Sequence, residues 1–153
     1  MEGVALHPKL HLLDLSGNQL GLDGAQTLAE LLRTSPTLET VRLAGVGFGA
    51  AGVGAVLEAV RWSGSVRSLD VAANRVGVLV HWDKKTVENF EAAAQSFVTL
   101  TELSLARNGL ENEAALRFCE NLRKSWSIES LDLSMNGIAI DAPMDTDRRR
   151  HRS

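Results

Sequence analysis

The feature that most constrains this chain is a pattern that recurs five times. Five segments align without gaps: LHLLDLSGNQL from Leu10, LETVRLAGVGF from Leu38, VRSLDVAANRV from Val66, LTELSLARNGL from Leu100 and IESLDLSMNGI from Ile128. Each follows L-x-x-L-x-L-x-x-N-x-L, with Val or Ile replacing Leu at some positions, and the starts are separated by 28, 28, 34 and 28 residues. Self-similarity at this period means that each repeat is one small unit that cannot bury its own apolar face, so neighbours must stack into a continuous core. Within the first unit Leu13 and Leu15 point to one face of a short strand, while Leu12, Asp14 and Ser16 point to the other. Beyond Asn18 the apolar period becomes helical: Leu28, Leu31 and Leu32 form one stripe, matched by Val56 and Val60 and then by Phe118 and Leu122. Each repeat therefore predicts a strand, a turn and a helix.

This pattern resembles the leucine-rich repeat, and the period with a helix in every full unit resembles its ribonuclease-inhibitor type, over about residues 8–138. The resemblance implies an α/β leucine-rich repeat solenoid, a horseshoe segment with a parallel β-sheet on its concave face and helices on its convex face. The array is expected over residues 1–140, with units starting near 10, 38, 66, 100 and 128, and residues 141–153 read as a disordered basic tail. Asn18, Asn74, Asn108 and Asn136 fall in the turn after each strand, where a buried side-chain amide can satisfy turn groups that no strand or helix serves. The second unit has Val46 instead, inside a glycine-rich stretch expected to close the turn without the asparagine. Pro8 stands two residues before Leu10 as Pro36 does before Leu38, so MEGVALHPK reads as the tail of a preceding repeat, and AIDAPMDTDRRRHRS offers no helical stripe after the last strand. The expectation is part of a longer array, or a product cut short, with a terminal core face exposed or covered by a partner.

That glycine stretch, AGVGFGAAGVG, contains G-x-G-x-x-G at Gly47, Gly49 and Gly52 between a strand-like and a helix-like segment, with Asp70 in the place of a ribose-binding acid. The repeat register explains the same residues without a nucleotide. Gly52 corresponds to Gly24, Asp70 corresponds to Asp14 and Asp132, and the preceding strand carries polar Glu39, Thr40 and Arg42 where a doubly covered parallel strand is nearly continuously apolar.

With 44% hydrophobic and 23% charged residues the chain has the composition of a soluble globular protein, no apolar run approaches the roughly 20 residues of a membrane span, and the start lacks a signal-peptide layout. A cytoplasmic location is expected. The net charge of −3 conceals an asymmetry: the last six residues, RRRHRS, hold four basic residues and no acid, and residues 1–147 carry −7. An acidic body disfavours nucleic acid as the main partner. The basic end reads as a tail, an acidic-surface or nucleic-acid contact, or a nuclear address. Cys119 reads as an inert packed thiol, the four histidines are scattered, and neither a metal nor a cofactor is expected.

Stacking places the solvent-facing strand residues in columns about 4.8 Å apart. The central column is Asp14, Arg42, Asp70, Ser104 and Asp132, flanked by Glu102, Arg107, Glu129 and Met135. It reads either as an internal charge ladder or as a recognition strip, and the candidate partner-binding residues are Asp14, Arg42, Asp70, Glu102, Arg107 and Asp132. The six extra residues of the third unit lie between Val76 and about Thr86, where Trp82 is either an exposed anchor for a partner or part of a small satellite core. No catalytic signature is present, and paired acids in an open sheet lack the desolvated pocket that separates pKa values. The function expected is a non-enzymatic scaffold binding a protein partner, with no small-molecule substrate. The alternative is a regulator of an enzyme or of the cytoskeleton, since the Ran GTPase-activating protein, the innate-immune receptors and tropomodulin have similar repeats.

Overall fold

The structure, a computed structural model, describes residues 7–139. Five three-residue strands, β1 Leu12–Asp14, β2 Thr40–Arg42, β3 Ser68–Asp70, β4 Glu102–Ser104 and β5 Ser130–Asp132, form one parallel sheet in sequence order. Each successive pair is joined through one α-helix: α1 Gly21–Thr34, α2 Gly49–Trp62, α3 Lys84–Ser96 and α4 Asn112–Leu122. The pairing steps equal the motif steps. Leu13 pairs with Val41, Val41 with Leu69, Leu69 with Leu103 and Leu103 with Leu131. This is the leucine-rich repeat solenoid that the sequence implies.

The core lies between the inward face of the sheet and the apolar stripes of the helices. Val41, Leu43, Leu69, Val71, Leu103 and Leu105 are buried on the sheet side, facing Ala25, Leu28 and Leu32 of α1, Val53, Val56 and Val60 of α2, Phe90 and Ala94 of α3, and Phe118 of α4. At the two end strands, which have a described neighbour on one side only, Leu13, Leu15, Leu131 and Leu133 are half-buried. Close helix packing depends on missing side chains. A Cβ at Gly52 would stand 2.8 Å from the Phe48 Cβ and 3.1 Å from the Ala25 Cβ, and one at Gly24 would stand 2.7 Å from the Leu20 Cβ. In both units the first turn of the helix thus rests directly on the residue that closes the strand-to-helix turn.

The turn asparagines form a ladder in the last three repeats. Asn74 Oδ1 accepts the amides of Val46 and Phe48, both at 3.2 Å, while its Nδ2 donates to the carbonyls of Leu43, Val71 and Ala72. The Asn74 amide in turn donates to Asn108 Oδ1, and the Asn108 amide to Asn136 Oδ1, at 2.8 and 2.9 Å. Each asparagine thereby serves the turn before its own as well as its own. Asn18 differs from the expectation: it is exposed, and among the described residues its side chain donates only to Leu15 O in its own turn.

The glycine-rich second turn is also corrected. Gly17 and Gly45 have left-handed backbones (φ 78° and 64°), but so do Ala73, Arg107 and Met135 at the equivalent positions, each with φ 55°. The left-handed residue is a property of the repeat, and Gly45 relieves a strain that three other units carry. Where the second unit lacks its asparagine, backbone takes over: Val46 O accepts the amides of Leu20 and Gly21 at 3.0 and 3.2 Å, and the Val46 side chain is fully buried.

In the third unit α3 begins eight residues after Val76, and the added chain forms a 3-10 turn at Leu79–His81. The Leu79 amide donates to the Glu111 carboxylate at 3.2 Å, the same carboxylate that accepts the Ala114 amide at the start of α4. Asp83 Oδ1 accepts the Thr86 amide at 2.7 Å and caps α3.

Candidate functional site

The sheet register places the predicted central column as neighbours. Asp14 pairs with Arg42, Arg42 with Asp70, Asp70 with Ser104 and Ser104 with Asp132. Glu102 lies two residues before Ser104 on the same face, and Arg107 lies in the left-handed turn after β4, exposed at the sheet's C-terminal edge. Exposed Glu39, Arg67 and Glu129 stand just before β2, β3 and β5, at the sheet's N-terminal edge. Arg67 carries no motif letter, and the pairing of its amide with Glu39 O is what brings it beside Glu39.

The carboxylates do not form an alternating ladder with the arginine. Asp14 Oδ1 accepts the Ser16 amide at 3.0 Å, Asp70 Oδ1 the Ala72 amide at 2.9 Å, and Asp132 Oδ1 the Ser134 amide at 2.9 Å. Each aspartate therefore closes the turn two residues beyond itself. The amide and hydroxyl of Ser16 hold the Asp14 carboxyl below its ordinary value against the opposing effect of burial, with the charge of Arg42 adding to the lowering. Ser134 does the same at Asp132. Among the described residues the side chains of Arg42, Glu102 and Arg107 make no hydrogen bond or ion pair within the fold, whereas the ion pairs of Arg33, Lys84 and Arg117 all lie on the helices.

Trp82 is not with these residues and is half-buried instead of exposed. Its ring lies over Phe90 with centroids 4.4 Å apart, and its Nε1 donates to Val76 O at 3.0 Å. Leu79 is buried beside it, while Val80 alone of that segment's apolar residues projects fully outward. The tryptophan seals the inserted turn against α3, so its aromatic face is already occupied. RRRHRS lies outside the described residues.

In the glycine stretch three of the amides that could face a phosphate are engaged by Asn74. The amides of Val46 and Phe48 are held by Asn74 Oδ1, and the Gly49 amide donates to Asn74 O at 2.8 Å. A helix N-terminus binds anions through such donors, and here the next repeat takes the amides of Val46, Phe48 and Gly49. Cys119 is half-buried in α4, and burial raises its thiol pKa. Among the described residues no helix is long and apolar enough to cross a membrane.

A family model described as "Leucine Rich repeat" matches residues 7–29 and 98–119. Among solved structures, that of "Leiomodin-1 Actin-Binding Site 2 (ABS2)" superimposes with a TM-score of 0.67 at 14% identity, covering 94% of this chain and 86% of that one. A tropomodulin C-terminal domain from Caenorhabditis elegans superimposes with a TM-score of 0.55 at 19% identity, covering 72% of this chain and 64% of that one. At these identities the likeness is one of fold. The motif, the in-register parallel sheet and the two matched segments agree on a leucine-rich repeat fold.

Proposed function

We propose that the chain is a non-enzymatic protein-interaction scaffold whose partner lies along the concave sheet, against Arg42, Glu102 and Arg107 at the centre and the aspartates 14, 70 and 132 around them. The observation that carries this reading is the set of exposed charges on the concave face, with the side chains of Arg42, Glu102 and Arg107 making no hydrogen bond or ion pair among the described residues. Such groups are fully solvated in the free chain and available for complementary charges on a partner. The aspartates there sit on an open sheet and are engaged as turn caps, which leaves no desolvated pair for acid–base chemistry. The 28-residue period and the helix in each unit support the ribonuclease-inhibitor-like type. Residues 1–140 are read as the array and 141–153 as a tail, in a cytoplasmic protein.

The cytoskeletal alternative has one specific support, the actin-binding site for which the similar leiomodin-1 structure is named, so actin is the first partner to test. Titration of labelled monomeric actin should show saturable binding that weakens when Arg42→Glu and Glu102→Lys are combined, two changes that leave the turn-capping aspartates intact. Binding that is unaffected by the pair would remove the concave site. Absence of binding would remove actin, and capture from lysate with the same two chains would then test the scaffold reading: partners lost in the variant support it, and identical captures reject it.

A further inference from the structure

The most exposed tryptophans are on neither the concave face nor the inserted turn. The segments that lead into each strand, 7–10, 35–38, 61–66, 97–100 and 123–128, form one rim of the solenoid. On it Trp126 is 92% exposed, Val98 66% and Trp62 62%. The Trp126 amide donates to Phe97 O at 3.2 Å, so Trp126 and Val98 rise from adjoining turns. Trp62 ends α2 one repeat earlier, its Nε1 donating to Glu58 at 2.9 Å and the Arg61 guanidinium lying 4.5 Å from its ring centre. One ring face is thus already covered and the orientation set before any partner arrives, which reduces the ordering cost of binding.

Folding does not account for these side chains. The positions equivalent to Trp126 include Pro36, Gly64 and Val98, and those equivalent to Trp62 include Thr34 and Ser96. Glycine and small hydroxyl residues complete the same backbone in other units. Large exposed apolar side chains at places where the fold accepts none mark an interface. The charge beside the tryptophans is mainly basic: the five segments hold Lys9, Arg61, Arg123 and Lys124, while the nearby acids are Glu58, which Trp62 and Arg33 engage, and exposed Glu39 and Glu129, which follow two of the segments.

We infer that this rim docks an acidic polypeptide segment bearing apolar side chains, with Trp126 and Trp62 as anchors and Arg61, Arg123 and Lys124 as counter-charges. The surface is separate from the concave strip. A peptide fits better than an anionic membrane because the apolar groups are spread along three repeats instead of forming one patch.

The test is selection of a displayed library of short random peptides on the purified chain. The enriched peptides are expected to be acidic with interspersed Leu, Phe or Val, and to lose affinity by on the order of tenfold or more in Trp126→Gly combined with Trp62→Thr. Both substitutions transplant residues from other repeats, and an unchanged thermal melt checks that the fold survives. Should that variant fail to fold, Arg123→Glu with Lys124→Glu, both at exposed positions, decides the matter by the same loss. Enrichment without acidic bias, or equal binding by the folded variants, overturns the inference. So does tryptophan-dependent binding of phosphatidylserine vesicles in the absence of selected peptides, which would make the rim a membrane contact.

Discussion

The turn at Val46 and the turn at Asn74 occupy the same place in successive repeats and close in different ways. Asn74 is fully buried and uses one side chain to satisfy two amides of the preceding turn and three carbonyls. Val46 is equally buried, yet its side chain satisfies none; its backbone carbonyl takes the Leu20 amide in addition to the Gly21 amide, whose counterpart Gly49 donates to Asn74 O in the next repeat. The difference follows from what each residue serves. The turn beneath Asn74 has Val46 and Phe48 fully or almost fully buried, whereas the turn beneath Val46 has Asn18 exposed and Leu20 half-exposed. Water can reach the amides of the first turn. An asparagine is demanded where solvent is excluded, because an orphaned buried polar group carries its whole desolvation cost.

The largest expected effect breaks that comparison at its buried side. Asn74→Ala should lower unfolding free energy by about 3–4 kcal/mol, by leaving the Val46 and Phe48 amides and the Leu43 carbonyl unpaired. Asn18→Ala, at the exposed end, should cost less than about 1 kcal/mol. Urea denaturation of the two variants reads the contrast directly, and equal losses would mean that burial of the served turn is not what matters.

Next comes the helix start that follows the Val46 turn. Gly52→Ala should destabilise by about 1–3 kcal/mol, since the new methyl meets the Phe48 and Ala25 Cβ atoms and no flexible chain end can yield. A melt of this variant matching that of the parent chain would show that the turn can shift away from α1.

A smaller, mirrored pair concerns the left-handed residue that both turns share. Gly45→Ala should cost about 1 kcal/mol, and Ala73→Gly should return somewhat less than that, reduced by the extra freedom of glycine in the unfolded chain. Both positions are exposed, and nothing lies within 4 Å of a Cβ at Gly45, so backbone strain is the quantity that the melts report. Opposite signs are expected, and matching signs would refute the strain account.

The smallest effect restores the missing member. Val46→Asn gives up buried apolar surface for hydrogen bonds to a half-exposed turn, and the two nearly cancel. The expected change is between neutral and about 1 kcal/mol of stabilisation. A loss in the urea midpoint instead of a gain would show that the valine side chain itself is required.

Legibility in the sequence divides along the same line. The five strands, their register and the helices were readable from periodicity, because the change from alternating to helical spacing recurs and stacking forces each unit to repeat its neighbour's solution. The concave column followed as a consequence. Its internal chemistry did not: the aspartates read as partners of Arg42, while in the fold each turns to its own strand end. The tryptophans were only half legible. Trp82 read either as an exposed anchor or as part of a small satellite core, and the fold takes the second, while Trp126 carried no signal at all.

What was not legible has a common cause. Which residues alternate, which are apolar and how far apart they recur are properties of the chain, and they determined the solenoid, the sheet order and the set of side chains on each face. Whether a particular Asn serves a neighbour or only itself, and whether a Trp finds a Phe to lie on or stands in water, depends on what another repeat places within a few ångströms. Asn18 and Asn74 share one motif letter, and Trp82 and Trp126 one residue type. Only the packing of α3, through Phe90, and the burial of the second turn distinguish them.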